Sequence, residues 1–179
     1  DLVFAALPAA ADGVRSRPLP SMDMVFVGSS SLHRKRRYTL ADLADIELLT
    51  FQRGSLPHVA LLDLFRSHRV EPRRVHTMSS VSAMLQMAQG GFGVATLPRD
   101  AVQHLLAVAD LRELPAAVPL QPLPIHASYR ADPSTQAVEV VMRSAQLFAE
   151  AWSEARPRIR SSRSAPSVVK KTASKKSMS

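Results

Sequence analysis

The sequence predicts an α/β fold, and three observations carry that reading. Hydrophobic residues fill 46% of the 179 positions, ample for a packed core. Short runs rich in β-formers alternate with stretches of helical periodicity, the order expected of a largely parallel sheet with helices packed on it. Several helical stretches open on Ser, Thr or Asp, whose side chains satisfy the orphan N–H groups of a first turn.

Leu2 to Leu7 and Met22 to Val27 read as strands, separated by a polar, Pro-containing stretch. Thr39-Leu40-Ala41-Asp42 has the spacing of a capping box and opens a short helix through Asp45, followed by a strand from Ile46 to Phe51. The turn Gln52-Arg53-Gly54-Ser55 leads into a helix with Ser55 as N-cap, Pro57 in the first turn, and Val59, Leu61, Leu62, Leu64 and Phe65 on its buried side. Val70-Glu71-Pro72 ends it, and Arg74 to Met78 is the next strand.

Ser79-Ser80 then cap a helix whose Val81, Met84, Leu85 and Ala88 fall at i, i+3, i+4 and i+7. Gly90-Gly91 supply the left-handed residue past its end, Phe92 to Leu97 is strand, and Arg99-Asp100 open a short helix through Val108. Leu114 to Pro124 contains four prolines and reads as extended, irregular connection. A strand from Ile125 to Tyr129 follows. Asp132-Pro133 then cap a long helix with Val138, Val141, Met142, Ala145, Phe148 and Trp152 on one face.

Charge divides the chain. The net charge is +8, yet the residues through Glu154 hold all 15 acids and 15 of the 23 bases. The other eight bases lie in residues 156–179, so the basic character belongs to a Ser-, Lys- and Arg-rich tail predicted to be disordered, not to a folded nucleic-acid-binding surface. Such a tail gives at most weak, salt-sensitive DNA affinity. Likewise, Arg34-Lys35-Arg36-Arg37 reads as a solvated loop. The absence of cysteine excludes disulfides, thiolate metal sites and thiol nucleophiles, and no run is long enough to span a membrane. No signal-peptide pattern opens the chain, so a cytoplasmic location is expected. The start at Asp1-Leu2-Val3-Phe4-Ala5 reads as a cut made within a strand.

Two strand-to-helix turns share one design, Phe51-Gln52-Arg53-Gly54-Ser55 and Thr77-Met78-Ser79-Ser80. In an open α/β sheet, ligands bind outside the carboxyl ends of strands, where helix N-termini present unpaired N–H groups. Ser55, Ser79 and Ser80 are therefore either plain caps or contacts to an anion. The six histidines, His33, His58, His68, His76, His104 and His126, lack metal-ligand spacing, and no nucleophile elbow, phosphate loop or dinucleotide fingerprint occurs. Neither metal, cofactor nor enzymatic activity is expected. Met84 and Met87 read as core.

In this order the segments resemble the effector-binding domain of LysR-type transcriptional regulators. The likeness rests on Asp1-Leu-Val-Phe-Ala, on Met24-Val-Phe-Val with His33 and Tyr38-Thr-Leu-Ala-Asp-Leu, and above all on residues 79–98, SSVSAMLQMAQGGFGVATLP. In that last block a polar pair precedes a helix, a Gly-rich end, a strand and Leu-Pro. Arg34-Lys35 depart from the Pro and small apolar residue common after that His in the family, which puts the local turn in doubt.

The resemblance covers roughly Asp1 to Trp152 and implies a two-lobed fold of the type 2 periplasmic-binding-protein kind with a ligand cleft between the lobes. Residues 1–24 and 125–155 would be the remnant of an incomplete first lobe, and residues 25–124 the second, with hinge strands near Val25–Gly28 and Ile125–Ser128. Gln52, Arg53, Gly54 and Ser55 would line the cleft from the second lobe, Ser79 and Ser80 from its signature helix, and Leu7 and Pro8 from the first lobe. A further Ser/Thr contact of relatives has no counterpart in this chain. The two helix N-termini, the Ser residues and Arg53 on one rim point to a small, carboxylate-bearing effector, and the resemblance implies DNA bound through a winged helix-turn-helix absent from this sequence and a homodimer or homotetramer as the whole protein.

Three other readings stay open at this point. One is a solute-binding component of a transporter; another is a small α/β enzyme built on His76 and Ser79. The third is a fragment without function alone, poorly soluble because a lobe lacking its early strands exposes apolar faces and an unpaired sheet edge.

Overall fold

The computed structural model describes residues 2–106, 109–131 and 136–154, and everything below concerns those residues. The strands form two sheets. The larger has the order β5-β4-β6-β3-β7, from β3 (Met24–Ser29), β4 (Glu47–Phe51), β5 (Arg74–Met78), β6 (Val94–Pro98) and β7 (Leu111–Leu114). The smaller has the order β1-β8-β2, from β1 (Leu2–Ala5), β2 (Val14–Met22) and β8 (Leu123–Arg130). Five helices accompany them: α1 (Leu40–Ala44), α2 (Leu56–Ser67), α3 (Val81–Gln89), α4 (Arg99–Leu106) and α5 (Gln136–Glu154).

Period-two alternation splits the larger sheet between two cores. Met24 and Phe26 of β3, Leu48 of β4 and Val94 of β6 face Leu40 and Leu43 of α1 and Leu61 and Phe65 of α2. Val25 and Val27, Leu49, and Ala95 and Leu97 face Met84, Leu85 and Ala88 of α3 and Val102 of α4. β3 is buried along its whole length.

Two local signals at helix ends hold. Thr39 accepts from the Asp42 N–H while Asp42 accepts from the Thr39 N–H, so both halves of the capping box are made. Gly91 takes the left-handed conformation just past α3, with φ +79°.

Four expectations are corrected. The sheet is not largely parallel: β4 pairs parallel with β5 and β6, but β3 runs antiparallel to both β6 and β7, and the smaller sheet is antiparallel throughout. β3 enters from the other sheet and runs against the other four strands. Second, the Pro-containing stretch after β1 is a nine-residue strand, β2. Pro18 and Pro20 fit there because β2 is an edge strand, whose outer side needs no donors. The strand expected from Met22 breaks at Asp23, where the chain changes sheet.

Third, the irregular connection expected over Leu114–Pro124 is shorter at both ends: Leu114 closes the edge strand β7, and Leu123 and Pro124 open β8. Fourth, two predicted faces are only partly covered. Val59 of α2 is exposed, and on α5 Met142 is buried while Val141 and Phe148 are not, because only the two short cores described and a third around Ala127, Tyr129 and Met142 exist to receive them. Ala107, Val108, Asp132, Pro133 and the basic tail lie outside the described residues.

Candidate effector site between the two sheets

Strand registers place the predicted site residues. Met24, where the chain enters β3, lies opposite Pro98, the last residue of β6, and Leu114 ends β7 opposite Phe26. The carboxyl ends of β4, β5, β6 and β7 thus share the edge at which the chain passes to the smaller sheet, through Asp23 on one side and residues 115–122 on the other. Phe51 and Met78 are register partners at that edge. The turns that follow, Gln52–Ser55 and Ser79–Ser80, are therefore neighbours about one strand spacing apart, ~4.8 Å.

From the smaller sheet, Leu123 and Met22 pair beside the crossing, and Ala5 at the end of β1 lies opposite His126. Leu7 and Pro8 leave β1 toward that same crossing, both exposed. The loop then folds back, the Ala9 N–H donating to Ser128 Oγ at 3.1 Å, and Ser128 and Ser16 sharing a 2.8 Å hydrogen bond. No hydrogen bond joins Leu7 or Pro8 to either turn among the described residues, so the structure brings the two turns together but does not join this pair to them.

The serines divide by role. Ser80 caps α3, its Oγ accepting from the Ala83 N–H at 3.2 Å, so that hydroxyl is occupied. Ser79 is exposed and makes no such bond. Ser55 stands at the N-cap position of α2 without capping it, and its buried Oγ has no hydrogen-bond partner among the described residues. An unpaired buried hydroxyl costs about 1–3 kcal/mol. Gly54, with φ +79°, turns the chain there, and its N–H donates to His58 Nδ1 at 3.3 Å. Gln52 and Arg53 project exposed from the same turn. The first-turn N–H groups of α2 remain open to a ligand.

Sequence reasoning missed two polar features. His126 Nδ1, on the middle strand of the smaller sheet, is the other buried side-chain atom without a partner among the described residues. Thr50 and Thr96, both fully buried beneath the rim, hydrogen-bond to each other at 2.9 Å, and Thr96 also donates to the Leu49 carbonyl. Register with a distant strand makes both features, which no local motif signals.

One guanidinium ties both passages between the sheets. Arg99 donates in a fork to Glu113 (Nη2 to Oε1 2.7 Å, Nε to Oε2 3.1 Å) and through Nη1 to Asp23 at 3.0 Å, while its N–H donates to the Asp23 carbonyl. The Glu113 hydrogen bonds raise the Arg99 pKa, against an opposing effect of burial. Elsewhere, the basic loop is exposed, with Lys35 paired to Asp42 at 2.7 Å and Arg34 donating to the Ser31 carbonyl. Among the described residues no His, Asp and Glu side chains cluster to hold a metal, and no helix is long and apolar enough to cross a membrane.

Residues 1–149 match the family model of the LysR substrate binding domain. Among curated relatives, the HTH-type transcriptional regulator CbbR of Rhodospirillum rubrum is 30% identical over 111 residues, covering 62% of this chain and 37% of that protein. The chain thus spans little more than a third of the length of the curated relatives it matches.

Among solved structures, the Synechocystis PCC6803 CcmR regulatory domain in complex with 2-PG aligns with a TM-score of 0.70 at 18% identity, over 84% of this chain and 74% of that one. The effector binding domain of QuiR in complex with shikimate aligns at 0.67 and 18%, over 84% and 72%. At these identities the likeness speaks for the fold, which is the type 2 periplasmic-binding-protein-like fold of LysR effector-binding domains. The family is one of transcriptional regulators, not of enzymes. With the family model matched over residues 1–149, this chain belongs to the LysR substrate-binding domain family.

Proposed function

We propose that this chain is the effector-sensing part of a cytoplasmic, DNA-binding transcriptional regulator and that it takes a small carboxylate between its two sheets. The observation that carries the reading is Ser55. A hydroxyl at an N-cap position normally closes the first turn of its helix. Here it is buried, makes no cap and has no partner, beside the open N–H groups and positive dipole end of α2. A carboxylate oxygen satisfies the hydroxyl and those N–H groups together, with Arg53 adding a charge-assisted bond.

Gln52, Gly54, Ser79 and Ser80 complete the wall on this side. Leu7 and Pro8 face them from the other, with His126 offering an additional polar contact. The shikimate bound by the QuiR domain is itself a carboxylate.

In the whole regulator, a winged helix-turn-helix would carry DNA and the chains would assemble as a homodimer or homotetramer. Effector binding shifts the balance between placements of the two sheets about the Arg99 clamp, and through it the arrangement on DNA. The relative named as a transcriptional regulator favours this over a transporter component or an enzyme built on His76 and Ser79. His76 Nε2 is moreover engaged by Glu47 at 2.7 Å.

Calorimetric titration of the full chain with shikimate, 2-PG and a panel of small carboxylates tests the proposal. At least one carboxylate should bind saturably, and Ser55→Ala and Arg53→Ala should each weaken it by roughly tenfold, the loss of one charge-assisted contact. Failure of the whole panel, or equal affinity in both variants, overturns it.

A further inference from the structure

The run Arg34-Lys35-Arg36-Arg37 takes no part in the cleft. β3 ends at Ser29 opposite Leu111, the first residue of the edge strand β7, so the chain leaves it at the edge of the larger sheet remote from the crossing. It then returns along the outside of β7. Arg112 Nη1 donates to the His33 carbonyl at 3.3 Å, and Tyr38 bridges Ala116, its N–H donating to the Pro115 carbonyl at 2.8 Å and its carbonyl accepting from the Ala117 N–H at 2.7 Å. β7 stands three strands from β4, ~14 Å, so the run is separate from the turn at Ser55.

The loop is anchored at both ends. The His33 N–H donates to the Ser29 carbonyl at 3.0 Å, Tyr38 is 3% exposed, and the two rings meet edge to face with centroids 6.2 Å apart. The Lys35 N–H donates to the Tyr38 hydroxyl at 3.3 Å. Between these anchors all four cations are exposed. Lys35 pairs with Asp42, while Arg34 and Arg37 donate only to the Ser31 and Ala117 carbonyls. A carbonyl does not neutralise a guanidinium, and among the described residues Arg34, Arg36 and Arg37 have no carboxylate partner.

Charge is segregated as well. Residues 1–154 hold 15 acids and 15 cationic residues, and with these four set apart, 11 cations face 15 acids. A polyanion is thus drawn to this strip and disfavoured over the rest of the body. From Arg34 to Arg37 the chain reaches at most ~11 Å, over which one DNA strand presents about three phosphates at ~3.4 Å each. A loop already held loses little freedom on binding. Guanidinium forks suit phosphate oxygens, whereas four consecutive cations offer no apolar centre of the kind a protein interface has.

We propose that Arg34, Arg36 and Arg37 bind the phosphate backbone of duplex DNA without reading its sequence, and so hold the effector-sensing body against DNA. The inference rests on the chain's being part of a DNA-binding regulator.

Fluorescence anisotropy of a short labelled duplex of arbitrary sequence, titrated with the full chain between about 50 and 200 mM salt, tests it. Each phosphate contact contributes about 0.9 to the slope of log affinity against log salt. Arg34→Gln, Arg36→Gln and Arg37→Gln together should therefore lower the slope by about 2–3 and the low-salt affinity by at least about tenfold, equally on different sequences. Lysine at the same three positions keeps the charges and should keep the slope. A control with the same loss of charge in the smaller half, Arg17→Gln, Arg130→Gln and Arg143→Gln together, should change it by less than about 1.

The basic tail adds a weak, salt-sensitive share of its own. With Lys170→Gln, Lys171→Gln, Lys175→Gln and Lys176→Gln the total slope should fall and the loop's share of it remain. Polyglutamate probes for an acidic protein partner, and should lose less than DNA does in the loop variant. Carboxylate titration reads the cleft separately, and there the loop variant should bind as the parent does, so failure here and failure at Ser55 are distinguishable. An unchanged slope in the loop variant, an equal fall in the control, or a greater loss of polyglutamate than of DNA overturns the proposal.

Discussion

The two halves of this molecule are built from the same kinds of element and differ in how completely those elements are covered. In the half around the larger sheet, helices lie on both faces, and β3 is buried at every residue. In the half around the smaller sheet, α5 is the one covering helix among the described residues, and the buried core there is Ala127, Tyr129 and Met142. Val3 and Phe4 of β1, and Val140, Val141, Leu147 and Phe148 of α5, are exposed. Apolar periodicity therefore reports that an element has a face to bury, but not that anything lies against it. The larger half holds the two larger cores, and in the proposed site the smaller half is the opposite wall.

The largest expected effect breaks that comparison if it is wrong. Phe65, 1% exposed beneath the larger sheet, leaves a cavity when truncated, and Phe65→Ala should cost about 3–5 kcal/mol. Leu147, 61% exposed on α5, has little packing to lose, and Leu147→Ala should stay within about 0.5 kcal/mol. Urea denaturation of the two variants beside the parent chain measures both. Similar losses would mean that α5 is as well packed as α2.

The same division marks what the sequence made legible. Thr39 with Asp42, Ser80, Gly91 and the strand from Arg74 to Met78 are readable because their signals lie within a few residues of the structure they specify. β2 is not, since its strand character comes from pairing with β8 more than a hundred residues away, and Pro18 and Pro20 mask it locally. The candidate site is legible to the same degree. The two turns could be read from strand-to-helix order, but nothing local separates Ser80, which caps, from Ser55, which does not. His126 and the Thr50–Thr96 pair arise only when distant strands fall into register.

A pair of glycines sharpens the comparison at intermediate magnitude. Gly93, entering β6, lies so close to the backbone of β4 that an added Cβ would collide with the Glu47 carbonyl. Backbone cannot move aside as a flexible side chain can, so Gly93→Ala should cost about 1–3 kcal/mol or more, as overpacking does. Gly13, ahead of β2, has φ +72° and nothing within 4 Å of an added Cβ. Gly13→Ala should cost only its left-handed strain, about 1–2 kcal/mol. Thermal melts of both variants check the order, and a larger loss at Gly13 would place hidden packing in the smaller half.

The smallest effect is a pH dependence confined to the larger half. The hydrogen bond from Lys35, with those from the Thr39 N–H and hydroxyl, lowers the Asp42 pKa from 3.8 to about 2. Hydrogen bonding by His76 lowers Glu47, and hydrogen bonds from Ser30, Ser31 and Ser29 lower Asp110. A folded-state pKa below the unfolded value means stability that is fully present above about pH 4 and lost as pH falls toward 2. Asp42→Asn abolishes that carboxylate's share, so its denaturation midpoint should decline less steeply than the parent's between pH 4 and 2, although it starts lower. Hydrogen exchange supplies the regional readout: over that range protection in α1 should fall sooner in the parent than protection in β8. High salt separates the two causes, because it screens the exposed Lys35–Asp42 pair while leaving the short-range Thr39 bonds in place. If β8 loses protection together with α1, the two halves melt as one cooperative unit despite their unequal cores.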